Sequence, residues 1–328
     1  MLPLRTILKS ISYPFTIEYP SQFLLLGSCF TENIGKKLQA AKFQTNINPF
    51  GILYNPLSIL DNLERAVQGL DLPKNVLFEH QGYWYSHLHH SQFSANSNGK
   101  LNKQIQSQDQ LIQNQFSTIN YLIFSFGTAK VYEHKTWGKI VANCHKLPTR
   151  EFESHLLSSR EIADRYLVFL ETAKTQNEQL EVLFTLSPVR HIRDGIIENQ
   201  RSKAILLTAI HEICEELKFV HYFPSYELLM DDLRDYRFYE RDLVHPSEMA
   251  IDYIWDYLQK CLFSSDAQQL YEQIIQVKQA ASHRPFQPTS NAHQKFVRQQ
   301  IEKVKQFQKQ YTFLDWQEEL AIFQAQLT

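Results

Sequence analysis

Leu24-Leu25-Leu26-Gly27-Ser28-Cys29-Phe30 is the stretch whose reading decides the fold: an apolar run, a glycine, a serine, and then a helical pattern. The run at 23–26 is too brief for a helix and shows no polar alternation, which suits a strand buried on both faces. Gly27 permits a sharp change of backbone direction. Ile34 and Leu38, four apart, predict a helix over 32–41. Ser28 therefore stands at the carboxyl end of a strand and at the start of a helix, where amide groups and the helix dipole favour negative charge. It is either a nucleophile or a helix cap, the commoner duty of serine there.

The same alternation recurs downstream. Short apolar runs at 121–126, 182–186 and 219–223 read as further strands. Ile162, Tyr166, Phe169 and Leu170 predict a helix over 159–174, and Ile205, Leu206, Ala209, Ile210 and Ile213 one over 199–217. Strands alternating with helices imply an α/β fold, a parallel sheet covered on both faces, with the active site beyond the carboxyl ends of the strands. Residues 74–99, with Trp84, Tyr85, His87, His89 and His90, predict loops and short edge strands over one end of the sheet, and 101–116 a short helix. Ser247 predicts the cap of a helix running through Met249, Tyr253, Ile254 and Tyr257. Beyond about residue 266 the chain is rich in Gln and Lys, predicting two more helices interrupted at 283–290 by Pro285 and Pro288. The expected division is a main domain at 1–264 and a helical C-terminal extension at 265–328, packed on that domain or serving self-association.

Composition narrows the function. The chain has 328 residues, 43% of them apolar, which excludes a disordered polymer. The formal net charge is -2, without the basic excess that phosphate binding demands, so nucleic acid is not expected as a ligand. The cysteines at 29, 144, 214 and 261 form no CxxC pair, and reduced thiols in a non-oxidising compartment are expected. Leu26-Gly27-Ser28-Cys29 has the outline of a lipoprotein cleavage box, yet Pro14, Glu18 and Pro20 interrupt the apolar segment that export needs. With no apolar run long enough to span a bilayer, a cytoplasmic location is expected. The sequence contains no GxGxxG, GxxxxGK, HExxH or GxSxG, so no nucleotide fingerprint, zincin or ordinary α/β-hydrolase elbow is present, and no cofactor is expected. His87, His89 and His90 lack the further ligands a metal site requires, so no metal is expected and these side chains read as a polar loop beside the substrate cleft.

Asp242-Leu243-Val244-His245-Pro246 precedes the helix at Ser247. Pro246 keeps His245 out of helical geometry. A spacing of three lets the Asp242 carboxylate reach His245 Nδ1, leaving Nε2 free to take a serine proton. Paired with Ser28, this segment suggests a Ser28-His245-Asp242 triad; alone, it is a surface loop with a helix cap.

Gly27-Ser28-Cys29-Phe30 followed by Glu32-Asn33-Ile34-Gly35 resembles the signature of GSCFA-domain proteins, which are placed with the SGNH/GDSL hydrolases. Asn48-Pro49-Phe50-Gly51, Phe126-Gly127-Thr128-Ala129, Asn143-Cys144-His145-Lys146, Ser187-Pro188-Val189-Arg190-His191 and Asp235-Tyr236-Arg237-Phe238-Tyr239 fit the same family in order, over about residues 20–260. The resemblance implies a flavodoxin-like three-layer sandwich, a bacterial-type family, and esterase, lipase or acyltransferase chemistry through an acyl-enzyme. It implies Ser28 as nucleophile, Asp242 and His245 as its dyad, and the backbone amides of Ser28 and Gly51 as oxyanion donors. It also exposes a departure. Where the superfamily often reads Gly-Thr-Asn-Asp, this chain has Gly127-Thr128-Ala129-Lys130, and alanine offers no side-chain donor. Asn143 is the favoured substitute among Asn143, Asn48, Thr128 and His145. Thr128, His145, Arg190 and His191 are expected to contact substrate, Arg190 alternatively holding an acidic loop residue. The resulting expectation is a serine esterase acting on a small-molecule or carbohydrate acyl ester, such as an O-acetylated sugar. Acyl transfer on the same triad and a non-catalytic carbohydrate- or partner-binding module are the alternatives.

Overall fold

A computed structural model describes residues 5–327. In chain order, β1 (Gln22–Gly27) leads through α1 (Cys29–Ala40) to β2 (Gln44–Ile47) and α2 (Pro56–Val67). The hairpin β3 (Leu77–His80) and β4 (Tyr83–Ser86) precedes α3 (Asn98–Gln115), β5 (Tyr121–Phe126), β6 (Lys130–His134), β7 (Lys139–Val141) and β8 (Phe152–Leu156). Then come α4 (Ser159–Gln176), β9 (Glu181–Leu186), α5 (Ile196–Glu216), β10 (Val220–Phe223), the single turn α6 (Ser225–Glu227) and α7 (Glu248–Leu262). The C-terminal helices are α8 (Ser265–Ser282), α9 (Asn291–Gln310) and α10 (Gln317–Ala325).

The four strands expected from apolar runs are all present and pair in parallel; the fifth, β2, completes a sheet ordered β10-β9-β5-β1-β2. Alternate side chains enter two cores. Leu24, Leu26, Leu122, Phe124, Phe126, Val182, Phe184 and Leu186 pack beneath α2, α4 and α5. Phe23, Leu25, Tyr121, Ile123, Leu183 and Phe223 pack beneath α1 and α7. Burial on both faces explains why these strands read as continuous apolar runs. Counted within this sheet the strand order is 2-1-3-4-5, the flavodoxin-like arrangement, whose direction reverses between β1 and β5. Ser28 and Gly127 directly follow the carboxyl ends of β1 and β5 at that reversal, the place where folds of this order form their binding crevice.

Capping decides several boundaries. Asn55 accepts from the Ser58 amide (2.8 Å) with Pro56 in the first turn of α2, where proline is tolerated because its missing N–H would be unpaired anyway. Ser158 and Glu161 form a reciprocal capping box on α4. Ser247 caps α7 as expected. A second small sheet, β7-β6-β8, lies beside the β3–β4 hairpin.

The C-terminal extension holds three helices, one more than the sequence predicts, around their own core of Ile274, Val277, Val297, Val304, Trp316 and Phe323. It docks at the far end of α1 from Ser28. Lys42 pairs with Glu319 (2.9 Å) and lies 4.5 Å from the Trp316 ring. Tyr19 stacks on Phe43 (4.1 Å) and on Phe313 (6.2 Å). An α1 of 12 residues spans about 18 Å, so this docking site is held away from the strands' carboxyl ends. Removing one partner of a buried ion pair strands the other charge. Lys42→Ala is expected to cost the docked helices about 3–5 kcal/mol, read as earlier urea unfolding and as protease cleavage within 283–290. An unmoved unfolding midpoint would contradict this.

Candidate active site

The turn after β1 is built on Gly27. Its φ is +141°, and a Cβ there would lie 2.1 Å from the Ser125 carbonyl oxygen, so no other residue fits. The Gly27 amide donates to Asn48 Oδ1 (2.9 Å), and its carbonyl accepts from the Leu53 amide (3.0 Å). Ser28 is fully buried and occupies the capping position of α1, yet its hydroxyl makes no cap hydrogen bond. Its Oγ lies 3.1 Å from Ser125 Oγ. The serine is therefore not serving as a side-chain cap, and among the described residues no hydrogen bond joins it to His245.

Asp242 and His245 are joined. Asp242 Oδ2 lies 2.6 Å from His245 Nδ1, and Oδ1 accepts from the amides of Val244 (2.9 Å) and His245 (3.0 Å). The two bonds from His245 and the one from Val244 hold the carboxyl down at about 2, well below its ordinary range. Asp242 is thus ionised at neutral pH, and Nδ1 is fixed as the protonated ring nitrogen. Both side chains are about half exposed. The loop is stapled by Glu240 N to His245 O (2.8 Å) and Ser247 N to Phe238 O (2.8 Å). Arg190 reaches it from the β9 loop, donating to the Leu243 carbonyl with its guanidinium 5.0 Å from the Tyr239 ring centroid. Arg190 thus holds the dyad loop by a backbone carbonyl rather than by an acidic side chain.

The β5 and β9 ends are fastened by one buried polar stripe on α5. Asn199 Oδ1 accepts from the His191 amide (2.8 Å). Ser202 Oγ accepts from the Ala129 amide (2.7 Å) and lies 3.0 Å from Thr128 Oγ1. Lys203 Nζ donates to the Ser187 carbonyl (2.6 Å). Lys203 is 1% exposed, and burial pushes its amine down to about 7, opposed by the nearby Cys29 thiol. Burial raises the pKa of that thiol, with Lys203 acting the other way. Ala129 is buried in the core beneath α4 and α5.

The remaining expected residues fall in other settings. The Ser28 amide donates to Ser125 O (3.1 Å) and the Gly51 amide to Asn48 O (2.7 Å), so both backbone donors are already engaged. Asn143 Oδ1 accepts from the His145 amide (2.7 Å). His145 is buried, with Nε2 2.8 Å from Ser86 O and Nδ1 3.1 Å from Ser91 Oγ, against Phe78 and Tyr85. Asn143 and His145 therefore knit the β3–β4 hairpin to the loop after β7. His87 and His89 are buried there as well, whereas His90 packs on Gly51 at the edge of the crevice. Among the described residues no three His, Cys, Asp or Glu side chains are grouped as a metal would require, and no helix is long and apolar enough to cross a membrane.

Lys203 and Ser202 are the site residues that the sequence reading passed over. Their signal was present: Asn199, Ser202 and Lys203 continue the face of α5 that carries Leu206, Ala209, Ile210 and Ile213, and a lysine on a buried face has a specific partner or purpose.

Burial of Lys203 has a pH signature. Between about pH 7 and the ordinary 10.5 the unfolded chain keeps a proton that the folded chain has released, so stability rises with pH across that window. Lys203→Met is expected to be more stable than the parent below pH 7, by about 1–4 kcal/mol, with the margin shrinking towards pH 10. Thermal denaturation across this range checks it, and a margin independent of pH would refute it.

Solved structures resemble the chain at low identity, among them two carbohydrate-acting esterases. The acetyl xylan esterase Est2A of Butyrivibrio proteoclasticus shares 11% identity at a TM-score of 0.39, over 74% of this chain and 65% of its own; this chain thus spans just under two-thirds of that enzyme. A carbohydrate esterase family 3 protein from Talaromyces cellulolyticus shares 12% at a TM-score of 0.32, over 78% of this chain and 99% of its own. No curated protein matches the sequence. Residues 22–258 match the GSCFA family, and residues 274–328 match the GSCFA domain protein C-terminal domain. Most of the crevice described above falls within the first of these matches, and the chain belongs to the GSCFA family.

Proposed function

We propose that the chain is a serine-dependent esterase in which Ser28 attacks, His245 takes and returns the proton, and Asp242 orients the imidazole. The observation that carries this reading is the Asp242–His245 pair at 2.6 Å, with Nε2 left unbonded among the described residues, on a loop clamped beside the β9 end. The Ser28 hydroxyl gives its proton to Nε2 as Oγ bonds to the acyl carbon. The carbonyl π pair moves to oxygen, and collapse of this intermediate expels the alcohol with the proton from His245. Water, deprotonated by the same imidazole, then attacks the acyl-serine and releases the acid and the free hydroxyl. For the first step Ser28 Oγ has to turn from Ser125 towards the rim.

A short acyl ester, on a carbohydrate or another small alcohol, is the substrate class we assign, on the superfamily resemblance. We retain the division into a hydrolase domain at 1–264 and a helical extension at 265–328, the extension supporting the fold from the far end of α1 and offering a surface for self-association. One observation favours a second reading, a non-catalytic binding module: the Ser28 hydroxyl is sheltered against Ser125. Transfer of the acyl group to an alcohol rather than water is the close variant on the same triad.

Hydrolysis of p-nitrophenyl acetate separates these readings. Ser28→Ala is expected to lower kcat by about 10⁴-fold or more, and a fluorophosphonate should label Ser28 in the parent protein. A folded parent that is neither labelled nor active would establish the binding module. Activity surviving in Ser28→Ala would place the nucleophile elsewhere, and acyl product appearing on an added alcohol would establish transfer.

A further inference from the structure

His191 Nε2 is a buried ring nitrogen with no hydrogen-bond partner among the described residues. Its position is over-determined. A methyl group at Gly127 would lie 3.1 Å from it, so the nitrogen rests directly on the glycine that ends β5. The Gly127 and Thr128 amides both donate to the Tyr54 carbonyl (2.9 and 3.0 Å). The Tyr54 ring meets the imidazole edge-on, with centroids 4.9 Å apart. Asn199 holds the His191 backbone from α5. An unpaired buried nitrogen normally costs free energy that a native fold avoids, and here several elements cooperate to keep one beside the carboxyl end of β5.

The donors that the family resemblance points to are engaged elsewhere. The Ser28 and Gly51 amides are spent on Ser125 and Asn48, Ala129 is turned into the core, and Asn143 braces His145. Resting on the esterase reading above, we infer that His191 Nε2–H is the side-chain donor that receives the substrate's developing oxyanion, in the role that an asparagine at position 129 would otherwise fill.

The electrostatics suit that role. His191 is depressed to about 4, first by burial and then by Lys203 and His245, with Asp194 opposing. Tyr54 and Gly127 add no charge from their side at neutral pH. A neutral imidazole donates to an oxyanion without transferring its own proton, so donor and base remain distinct histidines.

Asn48 Nδ2 is another buried, unpartnered donor beside β1, as are Thr31 Oγ1 and Asn46 Nδ2; Asn48→Asp removes the Asn48 donor while preserving the oxygen that Gly27 uses, which makes it the comparison variant. In full-length protein, His191→Ala is expected to lower kcat for p-nitrophenyl acetate by about 10²–10³-fold, the usual effect of losing one oxyanion donor, with KM little changed. His191→Gln, which restores an N–H donor, should recover much of that loss, and fluorophosphonate labelling of Ser28 should slow in parallel. Lys203→Met should raise the His191 pKa in an NMR titration of ¹⁵N-histidine protein. Full activity in His191→Ala and His191→Gln, or a loss confined to Asn48→Asp, would overturn the assignment. Should the parent protein neither hydrolyse nor label, the esterase reading fails by itself. Acetate titrated against the ¹⁵N-labelled parent then decides the site: a shift of His191 Nε2 supports an oxyanion pocket, and an unmoved signal refutes it.

Discussion

The contact between Gly27 and the backbone of Ser125 is the constraint from which the rest of the crevice is measured. A Cβ at position 27 would come within 2.1 Å of a carbonyl oxygen, closer than any real methyl contact, so β1 and β5 converge only because the side chain is missing. From that approach the neighbouring bonds follow. The Ser28 amide is drawn to Ser125 O, the Gly27 amide takes Asn48, and the Gly27 carbonyl takes the Leu53 amide. One glycine thus fixes where α1 begins, how the loop after β2 folds back, and how close Ser28 lies to the end of β5.

The opposite wall is set by charge rather than by sterics. A lysine at 203 is an expensive way to fill space, because burying an ammonium costs several kcal/mol before any hydrogen bond is counted. The bond to the Ser187 carbonyl offsets part of that cost, and loss of the proton offsets more. An apolar side chain of similar volume would give α5 the same packing. What it would not give is an amine whose charge acts on Cys29 and His191. Asn199 and Ser202, on the same helical face, hold the two loops that form this wall.

Much of this was legible in the chain itself, and the gaps have identifiable physical causes. The four central strands were readable because burial on both faces leaves uninterrupted apolar runs, and the Asp242–His245 pairing because a spacing of three before a proline has few geometries. The edge strand β2 was hidden: Gln44-Thr45-Asn46-Ile47 is polar because only part of it faces a core. Pro56 disguised α2, since a proline reads as a breaker until its place in the first turn is known. α10 has only 9 residues, too few for an apolar periodicity to stand out, although Asp315 and the first-turn Glu318 and Glu319 mark its start. Asn143 and His145 look like site residues in a list of motifs, and only the tertiary contacts reveal them as struts of the β3–β4 hairpin. Lys203 was the opposite case, a residue whose oddity lay in its position on a helical face rather than in any motif.

The sheltered Ser28 hydroxyl then has to be weighed by magnitude. Its bond to Ser125 Oγ is a neutral hydroxyl pair, of the kind that contributes about 1 kcal/mol net. Rotation about Cα–Cβ gives up that bond and leaves the Ser125 hydroxyl to find another partner. A penalty of that size lowers the population of the turned rotamer about fivefold, since 1.4 kcal/mol is a factor of ten. That is small beside the 10⁴-fold or larger effect of a working triad, and a substrate acyl group that binds only the turned hydroxyl would recover it on binding. A serine resting against Ser125 is therefore energetically compatible with catalysis. On the esterase reading, the arrangement would demand other donors for the oxyanion once the hydroxyl has turned, because the Ser28 and Gly51 amides are already bonded to Ser125 O and Asn48 O.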